Sequence, residues 1–385
     1  MLRGTSLAGE TLVTLRSARV VLVGGGLVGA LSALRLADAG ADVLVLEKTH
    51  PGAEASSAAA GILAAQAEAT GPSPLFELTF ESLQMHAALA EEIRGRTGVD
   101  AGFERRGILE VARTESEARA LLAKVVWQRE RALPVDILDA KALRQREPAL
   151  AAGFVQGVLF PDDASLDPAR LTAGVVQAAA RAGVRFRSGV MVRRVLITHN
   201  RATGVDTDDG VVEGDAVVLC AGAWSGLIAH GLGDPGSVRP ARGQLVEFDT
   251  CPTPVRSVVY AHGGYVVPRG DGRVVVGSTL EFVGFRRGVT AEGLAKLLAT
   301  AMKTVPSLGE ATVLRTWSNF RPYTEDKTPI VGMRGVDGLV LATGHHRSGI
   351  LLAPVTAEIV RDLVMRGQTR RAIASLSPLR AIAPT

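Results

Sequence analysis

A strand-like run, Val20 to Val23, leads directly into Gly24-x-Gly26-x-x-Gly29, and nothing else in this 385-residue chain limits its fold as tightly. The run is short and continuously apolar, as a parallel strand covered on both faces should be. Leu27 to Ala39 then carries apolar residues at helical spacing, and Gly40 is placed to end that helix. Asp42 to Leu46 is a second apolar strand, closed by Glu47. This order is a βαβ beginning and predicts a parallel sheet. In such a unit the first glycine permits the tight turn and the second lets backbone approach a pyrophosphate. The third lets helix pack closely on strand. The helix N-terminus adds partial positive charge for a phosphate. Glu47 lies 23 residues after Gly24, where a carboxylate can accept hydrogen bonds from both ribose hydroxyls. An acid there argues against a 2′-phosphate and so against NADP. The motif points to a dinucleotide and leaves NAD and FAD open.

Composition narrows the classes further. Hydrophobic residues make up 47% of the chain and the net charge is +4, which excludes a disordered tail protein. Two cysteines are too few for a disulfide framework or a Cys-based metal cluster. The pair His345-His346 lacks the i, i+4 spacing of a helical metal site, so no metal is expected. No G-x-S-x-G elbow supports a serine hydrolase. Of the 43 basic residues 37 are Arg, scattered in short doublets such as Arg193-Arg194, so no nucleic-acid tail is indicated. No run of 18 apolar residues predicts a membrane span. Met1 to Ser17 lacks the apolar core of a signal peptide, and the expected compartment is the cytoplasm.

The rest of the chain alternates. Pro51 to Gln66 is rich in Ala, Ser and Gly. Helices are expected over Leu75 to Arg94, Thr114 to Arg131, Asp139 to Glu147, Ala291 to Val305 and Leu351 to Arg366. Another follows the Asp167-Pro168 cap pair through Ala182. Strands are expected over Phe103 to Val111, Val184 to Ile197, Gly204 to Asp208, Ala216 to Cys220, Thr312 to Phe320 and Leu339 to Ala342. Gln244 to Thr279 alternates Val, Tyr and Phe with turn signals and predicts antiparallel hairpins.

Two later segments favour FAD over NAD. Ala55-Ser56-Ser57-Ala58-Ala59-Ala60-Gly61-Ile62-Leu63 offers hydroxyls and bare backbone for a ribityl chain. Gly344 to Gly349, a turn entering a helix, can aim N–H groups at a flavin's pyrimidine end and stabilise negative charge there. Either run taken alone reads as a loop.

At this point the chain resembles a known family, the FAD-dependent amino acid oxidases of the D-amino acid oxidase group. Within that group it is most similar to the glycine-oxidase branch that serves thiamine biosynthesis. The resemblance rests on Val21-Leu-Val-Gly-Gly-Gly-Leu-Val-Gly, Ala55 to Glu68, Tyr265-Val-Val-Pro-Arg, Val274-Val-Val-Gly-Ser-Thr, Phe320-Arg-Pro and Gly344-His-His-Arg-Ser-Gly-Ile-Leu-Leu-Ala-Pro. It implies an α/β fold: a Rossmann-like FAD-binding domain of the glutathione-reductase type, interrupted by a mixed and antiparallel substrate domain. Residues 18–98, 163–238 and 325–370 fall to the first, and 99–162 and 239–324 to the second. It further implies non-covalent FAD held around Gly24, Gly26, Leu27, Val28, Gly29, Glu47 and Lys48. The cofactor would continue past Ser56, Ser57, Ala60, Gly61, Ile62 and Leu63. It would also meet Val192, Ala221, Gly222 and Trp224, and the turn Gly344, His345, His346, Arg347, Ser348, Gly349 and Ile350.

By the same resemblance Arg321 pairs with a substrate carboxylate, Tyr265 assists it, and Arg347 stands near flavin and substrate. Leu280 falls beside the substrate, where some relatives carry methionine. Gly263 and Gly264 replace bulkier residues before Tyr265 and predict an altered pocket. The implied reaction is oxidative deamination of glycine, sarcosine or D-alanine, with dioxygen as acceptor and hydrogen peroxide as product. A homo-oligomer, dimer or tetramer, is implied, with no nucleic-acid or membrane partner. Two other readings stay open: a D-amino acid dehydrogenase feeding a quinone or carrier, and a flavin-binding protein without turnover.

Overall fold

The computed structural model describes residues 19–228, 238–261 and 263–380. The reading of residues 1–17 lies outside them. The opening βαβ unit forms as the periodicity predicts: strand Arg19–Val23, helix Leu27–Asp38 and strand Asp42–Glu47. Arg19–Val23 sits inside a six-stranded sheet, paired in parallel with Asp42–Glu47 on one side and Ala216–Leu219 on the other. Arg185–Ser188 extends the sheet beyond Asp42–Glu47, and Leu339–Thr343 extends it beyond Ala216–Leu219. Ile330–Met333 closes that edge antiparallel. The sheet is thus assembled from stretches nearly the whole chain apart.

Strand alternation divides the core in two. Val20 and Leu22 face helices, including Leu27–Asp38, Pro168–Arg181 and Gly349–Arg366. Val21 and Val23 face the other way and pack with Val195, Ala202 and Val205 of a three-stranded antiparallel sheet. Burial on both faces is why these strands read as unbroken apolar runs. The predicted strand Val184 to Ile197 is in fact two, Arg185–Ser188 and Val192–Thr198. Gly189, at φ +77°, breaks the run and sends its second half into the three-stranded sheet. Likewise the strand expected from Phe103 begins at Ile108, after Gly107 turns the chain at φ +78°.

The eight-stranded second sheet runs Thr312–Tyr323, Arg239–Asp249, Arg273–Gly277, Gly264–Pro268, Val258–Ala261, Ile108–Ala112, Gln156–Phe160, Asp136–Asp139. Its pairs are antiparallel except Val258–Ala261 with Ile108–Ala112. Helix caps follow the sequence: Asp167 accepts from Ala169 and Arg170 N–H, and Thr114 and Glu117 close a capping box.

Helix Gly349–Arg366 carries Pro354 in its interior. One turn away, Ser82 Oγ donates to the Leu351 carbonyl at 2.7 Å and accepts from Val355 N–H at 3.3 Å. His86 Nε2 donates to the same carbonyl at 3.1 Å. Burial pushes the His86 imidazole down to about 4, against the pull of the Leu351 and Ile350 carbonyls. Burial likewise pushes His345 down to about 4. A native pKa below the unfolded value of about 6.5 means the unfolded chain takes up protons that the native one refuses. Their stabilisation is therefore complete above pH 6.5 and is lost as pH falls toward 4. For His86 the loss is about 3 kcal/mol, at about 1.4 kcal/mol per pH unit. Urea unfolding midpoints are expected to fall across that window, and His86→Gln to flatten the fall. An unchanged slope in that variant would remove His86 from the account.

Candidate active site

A cavity of about 720 Å3 is lined from both large sheets. At one end it meets the glycine turn. Gly24 adopts φ +108°, and a Cβ there would lie 2.4 Å from the Cys220 carbonyl oxygen. A Cβ on Gly29 would lie 2.0 Å from the Gly24 oxygen, so helix and turn touch as closely as the motif requires. Glu47 is buried on the cavity wall, its Oε2 accepting from Gly25 N–H at 2.8 Å and Oε1 from Thr49 N–H at 3.0 Å. A carboxylate has about four acceptor sites, so hydroxyls in the cavity can still bond to it. Ser56 Oγ accepts from Leu27 N–H at 2.8 Å, locking the small-residue segment onto the helix start. Lys48 places its ammonium 3.1 Å from the Trp224 ring centroid and pairs with Glu54 at 3.0 Å.

Most residues expected at a cofactor line this cavity: Gly24, Gly26, Val28, Gly29, Glu47, Lys48, Ser56, Ala60, Gly61, Ile62, Val192, Ala221, Gly222, Trp224, and His345 through Ile350. Leu27, Ser57, Leu63 and Gly344 are not on its wall. Leu63 points instead into the helical core, as the neighbour of a lining residue in extended chain must.

The far end gathers Tyr265, Arg321 and Arg347. Arg321 stands on strand Thr312–Tyr323, which runs three residues past the predicted Phe320 limit. Its guanidinium donates to the Thr279 carbonyl at 3.1 Å and to Ser278 Oγ at 2.5 Å. Burial draws its pKa down, the Tyr265 hydroxyl holds it up, and Arg347 adds to the lowering. Two glycines make room for these groups. A Cβ on Gly243, in the adjacent strand, would lie 2.1 Å from Arg321 Nη1. A Cβ on Gly277, the cross-strand partner of Tyr265, would lie 2.6 Å from the tyrosine ring. The turn after Leu339–Thr343 is tied to the same strand, since His346 N–H donates to the Pro322 carbonyl at 2.9 Å.

Sequence reasoning passed over Glu68 and Tyr260. Glu68 Oε1 accepts from Arg347 at 2.8 Å and from the Tyr260 hydroxyl at 2.9 Å. Both residues line the cavity. The available signals were the Ala55 to Glu68 segment and the hairpin that places Tyr260 opposite Tyr265.

Leu280 requires a correction. It lies outside this cavity, on the wall of a second one of about 1030 Å3 that Gly263 and Gly264 also line. Ser278 and Thr279 turn inward to Arg321, and a bridge between Arg242 and Glu281 then carries the chain along the outside. Gly263 and Gly264, which precede Tyr265, line this second cavity and are not on the wall of the first.

Two buried polar atoms on the first cavity's wall, Glu54 Oε2 and His346 Nε2, have no hydrogen-bond partner among the described residues. The glycine turn and Glu47 on the cavity wall fit a long dinucleotide. The pattern of the DAO family, described as FAD dependent oxidoreductase, matches residues 19–363. The chain belongs to this family. FAD is therefore its cofactor and oxidation–reduction its chemistry.

A glycine oxidase from Geobacillus kaustophilus is 37% identical over 369 residues, covering 94% of this chain and 97% of that protein. A crystal structure of glycine oxidase from the same organism matches with a TM-score of 0.91 at 36% identity, over 95% of this chain and 100% of that one. The bifunctional protein ThiO/ThiG of Synechocystis sp. is 33% identical over 95% of this chain and 54% of its own length. Like the family pattern, these matches span both sheets. Among the described residues no cluster of three His, Cys, Asp or Glu could hold a metal ion, and no helix is long and apolar enough to cross a membrane.

Proposed function

We propose that this member of the family oxidises glycine or a similarly small amine, sarcosine or D-alanine, to the imine. The imine hydrolyses to the 2-oxo acid with release of ammonia, or of methylamine where sarcosine is the substrate, and dioxygen is reduced to hydrogen peroxide. The observation that carries this reading is the convergence of Arg321 and Tyr265 on the cavity that also holds the glycine turn and Glu47. A planar guanidinium grips a carboxylate with two parallel hydrogen bonds and so fixes where the α-carbon lies. Tyr265 adds a hydroxyl to that carboxylate and covers it with its ring. FAD, which the glycine turn, Glu47 and the Ser56 segment would hold, would supply the redox chemistry, acting as hydride acceptor and as the link to dioxygen. The protein's own part is orientation and electrostatics. Arg347, held by Glu68, stands beside the site with its charge offset by that carboxylate.

The cofactor is held without a covalent bond in this reading. Cys220 lies beneath the glycine turn with its thiol pushed up to about 12 by burial, and Cys251 is exposed elsewhere. The cofactor unit takes in residues 18–98, 163–238 and 325–370, and the substrate unit the remainder from 99 to 324. A role in supplying thiazole formation in thiamine biosynthesis draws on the ThiO/ThiG relative, and in this reading the protein acts as a cytoplasmic dimer or tetramer. The test is to add glycine, sarcosine and D-alanine to the purified yellow protein without oxygen, then to measure peroxide in air. Bleaching with peroxide release is expected. Bleaching that only a dye or quinone reverses would favour a dehydrogenase, and a flavin that none of the three bleaches would sink the reading.

A further inference from the structure

A carboxylate outside the cavity holds one of its walls in place. Asp163 is fully buried, and its partners are backbone groups. Its Oδ1 accepts from Ala65 N–H and Gln66 N–H, each at 3.0 Å, and its Oδ2 accepts from Ala67 N–H at 2.8 Å. Three consecutive donors on one carboxylate fix the direction of the chain. The next residue is Glu68. The segment has a second anchor. Gln66 and Gln128 bond reciprocally at 3.0 and 3.1 Å, and Lys124 Nζ donates to the Ala67 carbonyl and to Glu110.

We propose that Asp163 is a positioning residue for the substrate end of the site, acting through Glu68 on Arg347 and Tyr260. Glu68 divides one oxygen between the Arg347 guanidinium and the Tyr260 hydroxyl. Where the Ala65–Ala67 backbone lies therefore decides where Arg347 stands beside the substrate. Burial pushes the Asp163 carboxyl up to about 7, and the three N–H donors act against that push. A carboxamide of the same size cannot replace it. Its oxygen accepts, but its NH2 faces a backbone N–H, donor against donor. Asp163→Asn therefore displaces Glu68, while the Gln66–Gln128 and Lys124 contacts keep the segment folded.

This inference rests on the placement of substrate beside Arg347, so its test uses a readout independent of turnover. Glycolate, a small carboxylate that lacks the amine, is titrated into the FAD-loaded protein and its binding followed by the flavin spectrum. Asp163→Asn is expected to weaken glycolate roughly tenfold, as a small misplacement of binding groups does, with FAD affinity unchanged. Glu68→Gln should do the same, and the double variant should be little worse than either alone. If glycolate binds the wild type and the variant equally, the proposal falls even where glycine oxidation holds. If glycine proves no substrate yet the glycolate pattern appears, the proposal stands without the oxidase reading. Additive effects in the double variant would mean that Asp163 does not act through Glu68. Hydrogen exchange of the wild type is the check that needs no variant. The Ala65–Ala67 amides should exchange as slowly as those of strand Arg19–Val23, and rapid exchange would overturn the clasp.

Discussion

Arg321→Ala is expected to lower kcat/KM for glycine on the order of 100-fold, chiefly through KM, while the protein stays yellow. A hydrogen-bonded charge pair contributes about 1.5–3 kcal/mol, and each 1.36 kcal/mol is tenfold in rate. The upper figure applies here because the guanidinium is also held from behind. Its bonds to the Thr279 carbonyl and Ser278 Oγ keep it aimed, so little ordering is left for the substrate to impose. Tyr265 remains in the variant, which is why binding weakens without vanishing. FAD retention should not change, since the glycine turn and Glu47 belong to the other sheet. Arg321→Lys should recover only part of the loss, because an ammonium is a point charge and cannot present two parallel donors. Flavin absorbance and steady-state peroxide formation measure both quantities. Near-normal kinetics in the alanine variant would remove Arg321 from the carboxylate site.

What could be read from the sequence and what could not follows from the range of each interaction. The glycine turn, its strand and helix, and Glu47 lie within 29 residues of one another, from Arg19 to Glu47, and local patterning specifies them. The same holds for the Asp167 cap and the Thr114 capping box. Arg321 is different. Among 37 arginines, nothing in its own periodicity marks it, and only the Phe320-Arg-Pro resemblance did. Leu280 lies past the end of strand Arg273–Gly277, and the bridge beside it pairs residues 39 apart, so no local pattern places it. The roles of Glu68, although the Ala55 to Glu68 segment was recognised, and of Asp163 could not be read from local pattern. Each matters through partners nearly 100 to 279 residues away, and no window along the chain contains both ends. Gly189 and Gly107 carried readable breaker signals, so the split of Val184 to Ile197 and the late start of the strand expected from Phe103 were misses with a local cause.

Gly243 shows how much of a binding site can depend on an atom that is missing. Gly243→Ala is expected to reproduce most of the Arg321→Ala loss with no charged group removed. Gly243 stands in strand Arg239–Asp249, opposite Asn319 and diagonal to Arg321 in the adjacent strand. A methyl there would fall 2.1 Å from Nη1 and 2.5 Å from the guanidinium carbon, where ordinary contacts need about 3.5 Å or more. The strand backbone accepts an alanine, and alanine in a strand interior is at least as favourable as glycine. The clash is with the far end of a flexible side chain, so the cheap response is for the guanidinium to retreat by about 1 Å or more rather than for the sheet to deform. Folding should therefore change little, with a thermal midpoint within a few degrees of the wild type. A displacement of about 1 Å at a binding group costs on the order of 100-fold in rate. The bonds to Thr279 and Ser278 would have to break or lengthen with it. An unfolded or colourless product would mean that the sheet, not the side chain, gave way. A stable yellow variant with unchanged KM would show that the guanidinium reaches the carboxylate from a different position, and the geometry built on Gly243 would have to be abandoned.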